Sequence, residues 1–366
     1  MPTRHDSPQT IHAATADFER WIGGRTPLIA ADLTRKHDAM RADLFGFFRG
    51  AYYRWAQRWA SLCPDEARAP RVLAVGDLHV ANFGTWRDAE GRLAWGVNDV
   101  DEAWTLPFTN DLVRLAVSAR IAVEVHGLRL DEDAAADAIL DGYRESLATR
   151  AVPFVLAEAH PALYRMATER LRDPEAYWEK MRAFKFVATP VPPGALAALR
   201  GALPSKDITM RIVHRVAGMG SLGRPRYVAI ADWQGGLIAR EAKPLVASAA
   251  AWAAGKPASA RPMYGELLAR AVRCPDPFVR ARGRWLVRRL APDCSRIDLD
   301  ALPRERDEAR LMHAMGRECA NVHVGSLSAR ALDAALKKLP KHWLRKAAVR
   351  MTDAVERDWR EWRGEH

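Results

Sequence analysis

Two apolar runs that each break into an acidic loop constrain this chain more than any other feature. Arg71-Val72-Leu73-Ala74-Val75 leads into Gly76-Asp77-Leu78-His79-Val80-Ala81-Asn82, and Leu93-Ala94-Trp95-Gly96-Val97 leads into Asn98-Asp99-Val100-Asp101-Glu102. A short apolar run bounded by polar turn residues predicts a strand. An Asp placed five residues before an Asn, directly after a strand, is the spacing of a phosphotransfer loop. There the Asp orients the attacking hydroxyl and accepts its proton, and the Asn reaches back to a magnesium ion. Gly76 lets the backbone turn tightly before Asp77. His79, inside the loop, reads as a structural hydrogen-bonder.

Magnesium takes oxygen ligands, one or two of them carboxylates. Asn82 and Asp99 are therefore the expected ligands, with Asp101 a second choice because it lies on the same side of an extended segment. Asp111 opens the run Asp-Leu-Val-Arg-Leu-Ala-Val and is expected to be an N-cap. The order strand-Asp-x4-Asn, strand-Asp, then Asp at a helix start is far more specific than any one piece.

Gly218-Met219-Gly220-Ser221-Leu222-Gly223 fits G-x-G-x-x-G, and the next run, 224–233, reads as a strand. That excludes a dinucleotide-binding crossover, where a helix comes next, and predicts a backbone lid over phosphates. The phosphate cation is Arg240 by spacing or Lys243 by chemistry, and Glu266 is the helix carboxylate expected to pair with it. Arg49, in Phe47-Phe48-Arg49-Gly50, is a further anion-binding candidate, weighed evenly against an ion pair at the core edge.

The expected fold is α+β, a bilobal kinase-like arrangement with a helix-rich larger lobe and a small antiparallel-sheet lobe. Residues 1–70 supply N-terminal helices, 71–200 the catalytic and metal-binding loops, 205–295 the sheet lobe with its glycine loop, and 300–366 the returning helices. Helices are expected over 11–62, two more over 111–148, and further helix-like stretches to about 185. Strands are expected over 209–217, 224–233, 237–246 and 285–290. The Pro/Gly-rich stretch 189–206 is the expected boundary. The glycine loop comes after the catalytic loop instead of preceding it, so the fold is expected to be circularly permuted, cut between the helix ending Cys319-Ala320-Asn321-Val322-His323 and the catalytic loop.

Composition narrows the classes. The 366 residues are 49% apolar and 28% charged, as in a globular protein. The net charge of +11 is spread along an Arg-rich chain without a nucleic-acid motif, which speaks against dedicated nucleic-acid binding. Cys63, Cys274, Cys294 and Cys319 have no metal-ligand spacing and are expected to be buried free thiols, as in a cytoplasmic protein. No signal peptide or membrane span is expected.

Together, Phe47–Gly50, Gly76–Gly84, Asn98–Ala103, Asp111–Ala119, Val216–Tyr227, Arg240–Ser248, Trp285–Leu290 and Glu318–His323 resemble an uncharacterised, mainly bacterial family, domain of unknown function 2252. That family is similar to aminoglycoside phosphotransferases. The resemblance implies a kinase-like fold, ATP and magnesium as cofactors, a small-molecule acceptor, and Asp111 as the residue that steadies the catalytic loop. Two positions depart from the family pattern. Arg240 stands where it has Lys, and Val100 where it has Phe. The function expected is ATP/Mg-dependent phosphotransfer, by phosphoryl or nucleotidyl transfer. A non-catalytic nucleotide sensor and a metal-dependent phosphatase are the alternatives. The phosphatase needs downstream His and Asn ligands, and the acidic loop supplies no His.

Overall fold

The computed structural model describes residues 9–168, 173–184, 186–187, 190–294 and 305–365. The described chain opens on helices α1 (Ile11–Gly23), α2 (Ala30–Ala42), α3 (Leu44–Gly50) and α4 (Tyr52–Leu62). The Thr10 side chain caps α1 on the Ala13 amide, and Asp43 caps α3 on the Gly46 amide. The aromatic spacing predicted for α4 buries Tyr52, Tyr53, Trp55 and Trp59 on one face.

Next come β1 (Arg71–Ala74), β2 (Phe83–Arg87), β3 (Leu93–Val97) and β4 (Trp104–Pro107). The sequence predicts β1 and β3. It reads 83–86 as loop, yet β2 pairs antiparallel with β3, and β4 closes antiparallel onto β1. Both acidic loops are thus clamped at each end by strand pairing. Helices α5 (Phe108–His126) and α6 (Glu132–Ala148) come after them. Because α5 starts at Phe108, Asp111 lies in its first turn and is not its N-cap. The short β5 (Phe154–Val155) joins β3, and α7 (Leu156–Ala159), α8 (Pro161–Thr168) and α9 (Pro174–Arg182) complete this stretch.

The Pro/Gly-rich stretch holds helix α10 (Pro193–Arg200), started by a proline at its first turn. It covers one face of a five-stranded antiparallel sheet built from β6 (Arg211–His214), β7 (Tyr227–Trp233), β8 (Gly236–Pro244), β9 (Arg280–Arg282) and β10 (Trp285–Leu290), in the order β6-β7-β8-β10-β9. Side chains alternate across it. Tyr227, Ala229, Ala242 and Val287 pack on α10, whereas Val228, Ile230, Ala239 and Leu290 share the opposite cluster with Tyr177 and Met181 of α9. Helices α11 (Ala249–Ala253) and α12 (Tyr264–Arg270) lie between β8 and β9.

Helices α13 (Glu305–His323), α14 (Ala329–Leu336) and α15 (Trp343–Arg363) end the chain. The largest apolar core joins residues from Ile11 to Trp362, so first and last helices share one interior. The architecture is mixed α+β, with small antiparallel sheets among many helices. No helix among the described residues is long and apolar enough to cross a membrane. The cysteines are free, three of them buried and Cys294 partly so.

Candidate functional site

The Asp77 loop is held from below by Asp111. Its carboxylate accepts the amides of Val75 (2.7 Å) and Gly76 (2.9 Å) and faces Nε2 of His323 at 3.1 Å. Nδ1 of that ring lies 2.9 Å from the Tyr143 hydroxyl. Asp111, His323 and Cys319 form the one metal-type grouping found among the described residues, but all are fully buried, and Asp111 is occupied by backbone amides. Gly76 has φ +82°, and a Cβ there would come 2.7 Å from the Tyr52 hydroxyl, so this turn needs glycine twice over.

Asp77 Oδ1 accepts from Nε of Arg114 at 2.7 Å. Arg114 is fully buried, donates also to the Phe48 carbonyl, and sits over the rings of Phe48, Tyr52 and Trp55 at 4.0, 4.8 and 4.9 Å. Burial raises the Asp77 carboxyl above its ordinary range, while Arg114 and Arg49 oppose the rise. The Asn82 amide nitrogen donates to the carbonyls of Asp77 (3.0 Å) and Asp99 (2.9 Å), locking the two acidic loops together. That turns its Oδ1 away from both, and none of the described residues donates to it.

Lys243 of β8 reaches Asp99 at 3.3 Å and Asp101 at 2.6 Å. Burial pushes the Asp99 carboxyl up, but Lys243, Arg288 and Arg226 outweigh it and hold Asp99 well below the usual carboxylate range. Asp101 goes the other way, raised by burial and by Asp99.

The glycine loop lies over Asp77. A Cβ on Gly220 would stand 3.6 Å from Asp77 Oδ2 and 3.4 Å from the Arg49 carbonyl. Gly218, with φ +78°, starts a tight turn through Ser221. Gly223, with φ +94°, lies off the cavity against Leu33, and its carbonyl accepts the Ile29 amide at 2.7 Å. Arg226 ties Ser221 Oγ to Glu241 Oε1 (2.9 Å to the latter). Glu241 also takes Arg215 at 2.6 Å and Arg288 at 2.9 Å. This fully buried carboxylate is thus the post that fixes the glycine loop to the sheet.

Two expectations need correction. Arg240 and Lys243 differ by an odd number of residues on one strand, so they leave it on opposite faces. Arg240 sits on the α10 face, donates to the Ala202 and Ala239 carbonyls, and stacks on Phe278. Lys243 is the cation at the acidic loops. Glu266 pairs with Arg270 on its own helix at 2.9 Å and lies outside the cavity, so Lys243 finds its carboxylates on the loop 99–101.

Arg49 lines the cavity and forms no ion pair with the described residues. His79 lines it too, edge-on to Phe45. The buried Arg49 Nε, Tyr52 hydroxyl and Asp101 Oδ1 have no hydrogen-bond partner among the described residues, and all three residues face this one cavity. Buried polar atoms without partners are costly, and here they converge where a polar ligand would satisfy them. The cavity measures about 50 Å³, against roughly 300 Å³ or more for a ligand pocket. The reverse of the 97–100 segment borders a recess of about 380 Å³ that Asp77, Asp99 and Asp101 do not line.

The sequence reading missed Arg114, Lys36, Arg224 and Glu241. For Arg114 a signal existed. The helix Leu112-Val113-Arg114-Leu115-Ala116-Val117 is apolar on every side, which marks a buried helix and hence a buried, partnered Arg.

A family model described as an uncharacterized protein conserved in bacteria (DUF2252) matches residues 28–175 and 199–365, and the chain belongs to that family. No curated protein and no solved structure matches it.

Proposed function

From this family membership and the geometry of the site, we propose that the protein is a kinase-like phosphotransferase that uses a magnesium nucleotide and a small-molecule acceptor. The observation that carries the reading is the Asn82 bridge. It brings Asp77, the Asn82 amide oxygen and Asp99 to one cavity roofed by glycines, with a lysine on the third strand of the sheet opposite.

The donor set suits magnesium. Asp101 Oδ1 is a buried oxygen without a donor among the described residues, and Asp99 is held ionised. When bound, magnesium would neutralise charge on the transferring phosphates. Asp77 would accept the acceptor's proton, Arg114 keeping its carboxylate aimed. Gly218, Gly220 and Ser221 would cover the phosphates with backbone amides, and Lys243 and Arg49 would meet them with charge. The position of α13 supports a permuted kinase fold, since His323 at its end touches the residue that holds the catalytic loop. The narrow cavity favours the second reading, a sensor that binds nucleotide without turnover.

Calorimetric titration with ATP and magnesium tests this. The wild type is expected to bind saturably and only with magnesium. Asp99→Ala is expected to bind roughly tenfold or more weaker, a loss of at least ~1.4 kcal/mol. Arg240→Met, on the far face, is expected to stay within about twofold of wild type. Folded wild-type protein that ignores Mg·ATP, or an Asp99→Ala variant that binds it equally well, defeats the proposal.

A separate expectation concerns Glu318 of α13, which accepts the Val97 amide at 3.1 Å just before the acidic loop. Burial pushes its carboxyl up to about 7. A carboxyl raised in the fold is protonated there while the unfolded chain has lost its proton, so stability falls as pH rises from about 4.5 to about 7. Glu318→Gln is expected to remove that fall, by up to ~3 kcal/mol at pH 8 and little at pH 4. Denaturant titrations at both pH values check it, and equal shifts at the two would refute it.

A further inference from the structure

Lys36 of α2 is a buried cation that pairs directly with no carboxylate among the described residues. It is 3% exposed, stands 5.6 Å over the Tyr53 ring, and makes no ion pair or hydrogen bond with a described residue. The charges around it are Glu19, Arg224, Glu102 and Asp77. Glu19 is already taken by His37 at 2.7 Å. Burial pulls the ammonium down to about 8, so it remains largely charged at neutral pH. An ammonium stripped of water and left unpaired is among the costliest groups a fold can keep.

Its surroundings belong to the cavity already described. Tyr53, Arg224 and Glu102 line that cavity together with Asp77. Arg224 is 9% exposed, lies 3.9 Å from Glu102 and donates to the Gly220 carbonyl. One oxygen of Glu102 already accepts the Ala249 amide at 2.6 Å. Two cations therefore share one partly engaged carboxylate, beside the Tyr52 hydroxyl, which has no partner among the described residues. Neither lysine itself lines the cavity: Lys243 backs it on the Asp99 side, and Lys36 backs a second side, over the lining residue Tyr53.

We propose that this second side binds a phosphate or carboxylate group of the acceptor, so that the acceptor is a small hydroxy compound with a fixed negative charge. The proposal rests on the phosphotransferase reading. The acceptor hydroxyl bonds to the γ-phosphorus, its proton passes to Asp77, and the bond from that phosphorus to the β–γ bridging oxygen breaks to release the nucleoside diphosphate. The anionic group is not consumed. It holds the hydroxyl beside Asp77, and amine-rich acceptors are turned away by the same charges.

The probe is inorganic phosphate, titrated by calorimetry into protein saturated with magnesium and a non-hydrolysable ATP analogue, for wild type and Lys36→Met. The expected result is phosphate binding that weakens about tenfold or more in the variant. Affinity for the analogue should stay within about twofold. The melting temperature should be equal or higher, because an unpaired buried charge has been removed. No phosphate binding by wild type, equal binding by both, or a variant that fails to fold overturns the proposal. A variant that loses the analogue as severely as phosphate also overturns it, since Lys36 would then serve the donor. If the wild type binds no nucleotide, the phosphotransferase reading falls. The same phosphate comparison on nucleotide-free protein then judges the anion subsite by itself.

Discussion

Asp77→Asn is expected to lower nucleotide turnover by about 10²–10⁴-fold, the range a positioned general base contributes, while leaving Mg·ATP affinity within a few-fold. The substitution is nearly isosteric. Its Oδ1 can still accept from Nε of Arg114, now at 2.7 Å, and the backbone that Asp111 and Asn82 hold does not depend on the Asp77 charge. The substitution removes the carboxylate that receives a proton and, with it, the charge opposite the buried Arg114. The pH profile separates this from a structural defect. Burial lifts the Asp77 carboxyl above its ordinary range, and the base works only when ionised. Wild-type activity should therefore fall on acidification through a limb lying above the usual carboxylate value, and the variant's residual activity should lack that limb. Turnover within about tenfold of wild type, with the acid limb intact, would remove Asp77 from the mechanism. Turnover of either protein can be read without knowing the acceptor, as slow transfer of the γ-phosphate to water.

The parts of the site that sit on strand-to-loop junctions were legible in the sequence. Asp77, Asn82 and Asp99 are marked by an apolar run that stops at a polar turn, and the structure brings them together through one side-chain amide. The glycine spacing likewise led to a loop that lies over Asp77. The choice between Arg240 and Lys243 was not legible, because spacing from the glycines says nothing about strand parity. Only the pairing of β7 and β8, with Ala229 opposite Arg240 and Val228 opposite Glu241, fixes which face each side chain takes. Lys36 was hidden for another reason, and Arg114 was overlooked for the same one although its all-apolar helix marked it. A charged residue within a helix ordinarily marks the solvated side, and these two are buried by the packing of distant segments: α3 and α4 over Arg114, α4 over Lys36. Strand β2 escaped because Phe83-Gly84-Thr85-Trp86 looks like a turn until β3 is beside it.

Gly316→Ala is expected to destabilise the protein by about 3 kcal/mol, the upper part of the overpacking range, although helix propensity alone predicts a gain of roughly 1 kcal/mol. Gly316 on α13 and Gly142 on α6 face each other's backbones. A Cβ on Gly316 would come 2.7 Å from the Ile139 carbonyl carbon and 3.0 Å from its Cα, and a Cβ on Gly142 would meet His313 in the same way. Neither glycine has a positive φ, so conformational freedom is not the reason for either. The neighbouring atoms are helix backbone and cannot swing aside, so the helices must separate. Separation reaches the site, because α13 carries Glu318 on the Val97 amide, Asn321 on Ser146, and His323 on Asp111. A melting temperature lower by roughly 5 °C or more is the expected result. Gly142→Ala should behave alike, and the double variant should cost less than the sum of the two, because one displacement relieves both contacts. An unchanged or raised melting temperature in Gly316→Ala would mean that the helices already stand far enough apart for a methyl group. The close crossing could not then be what sets the distance between α13 and the Asp77 loop.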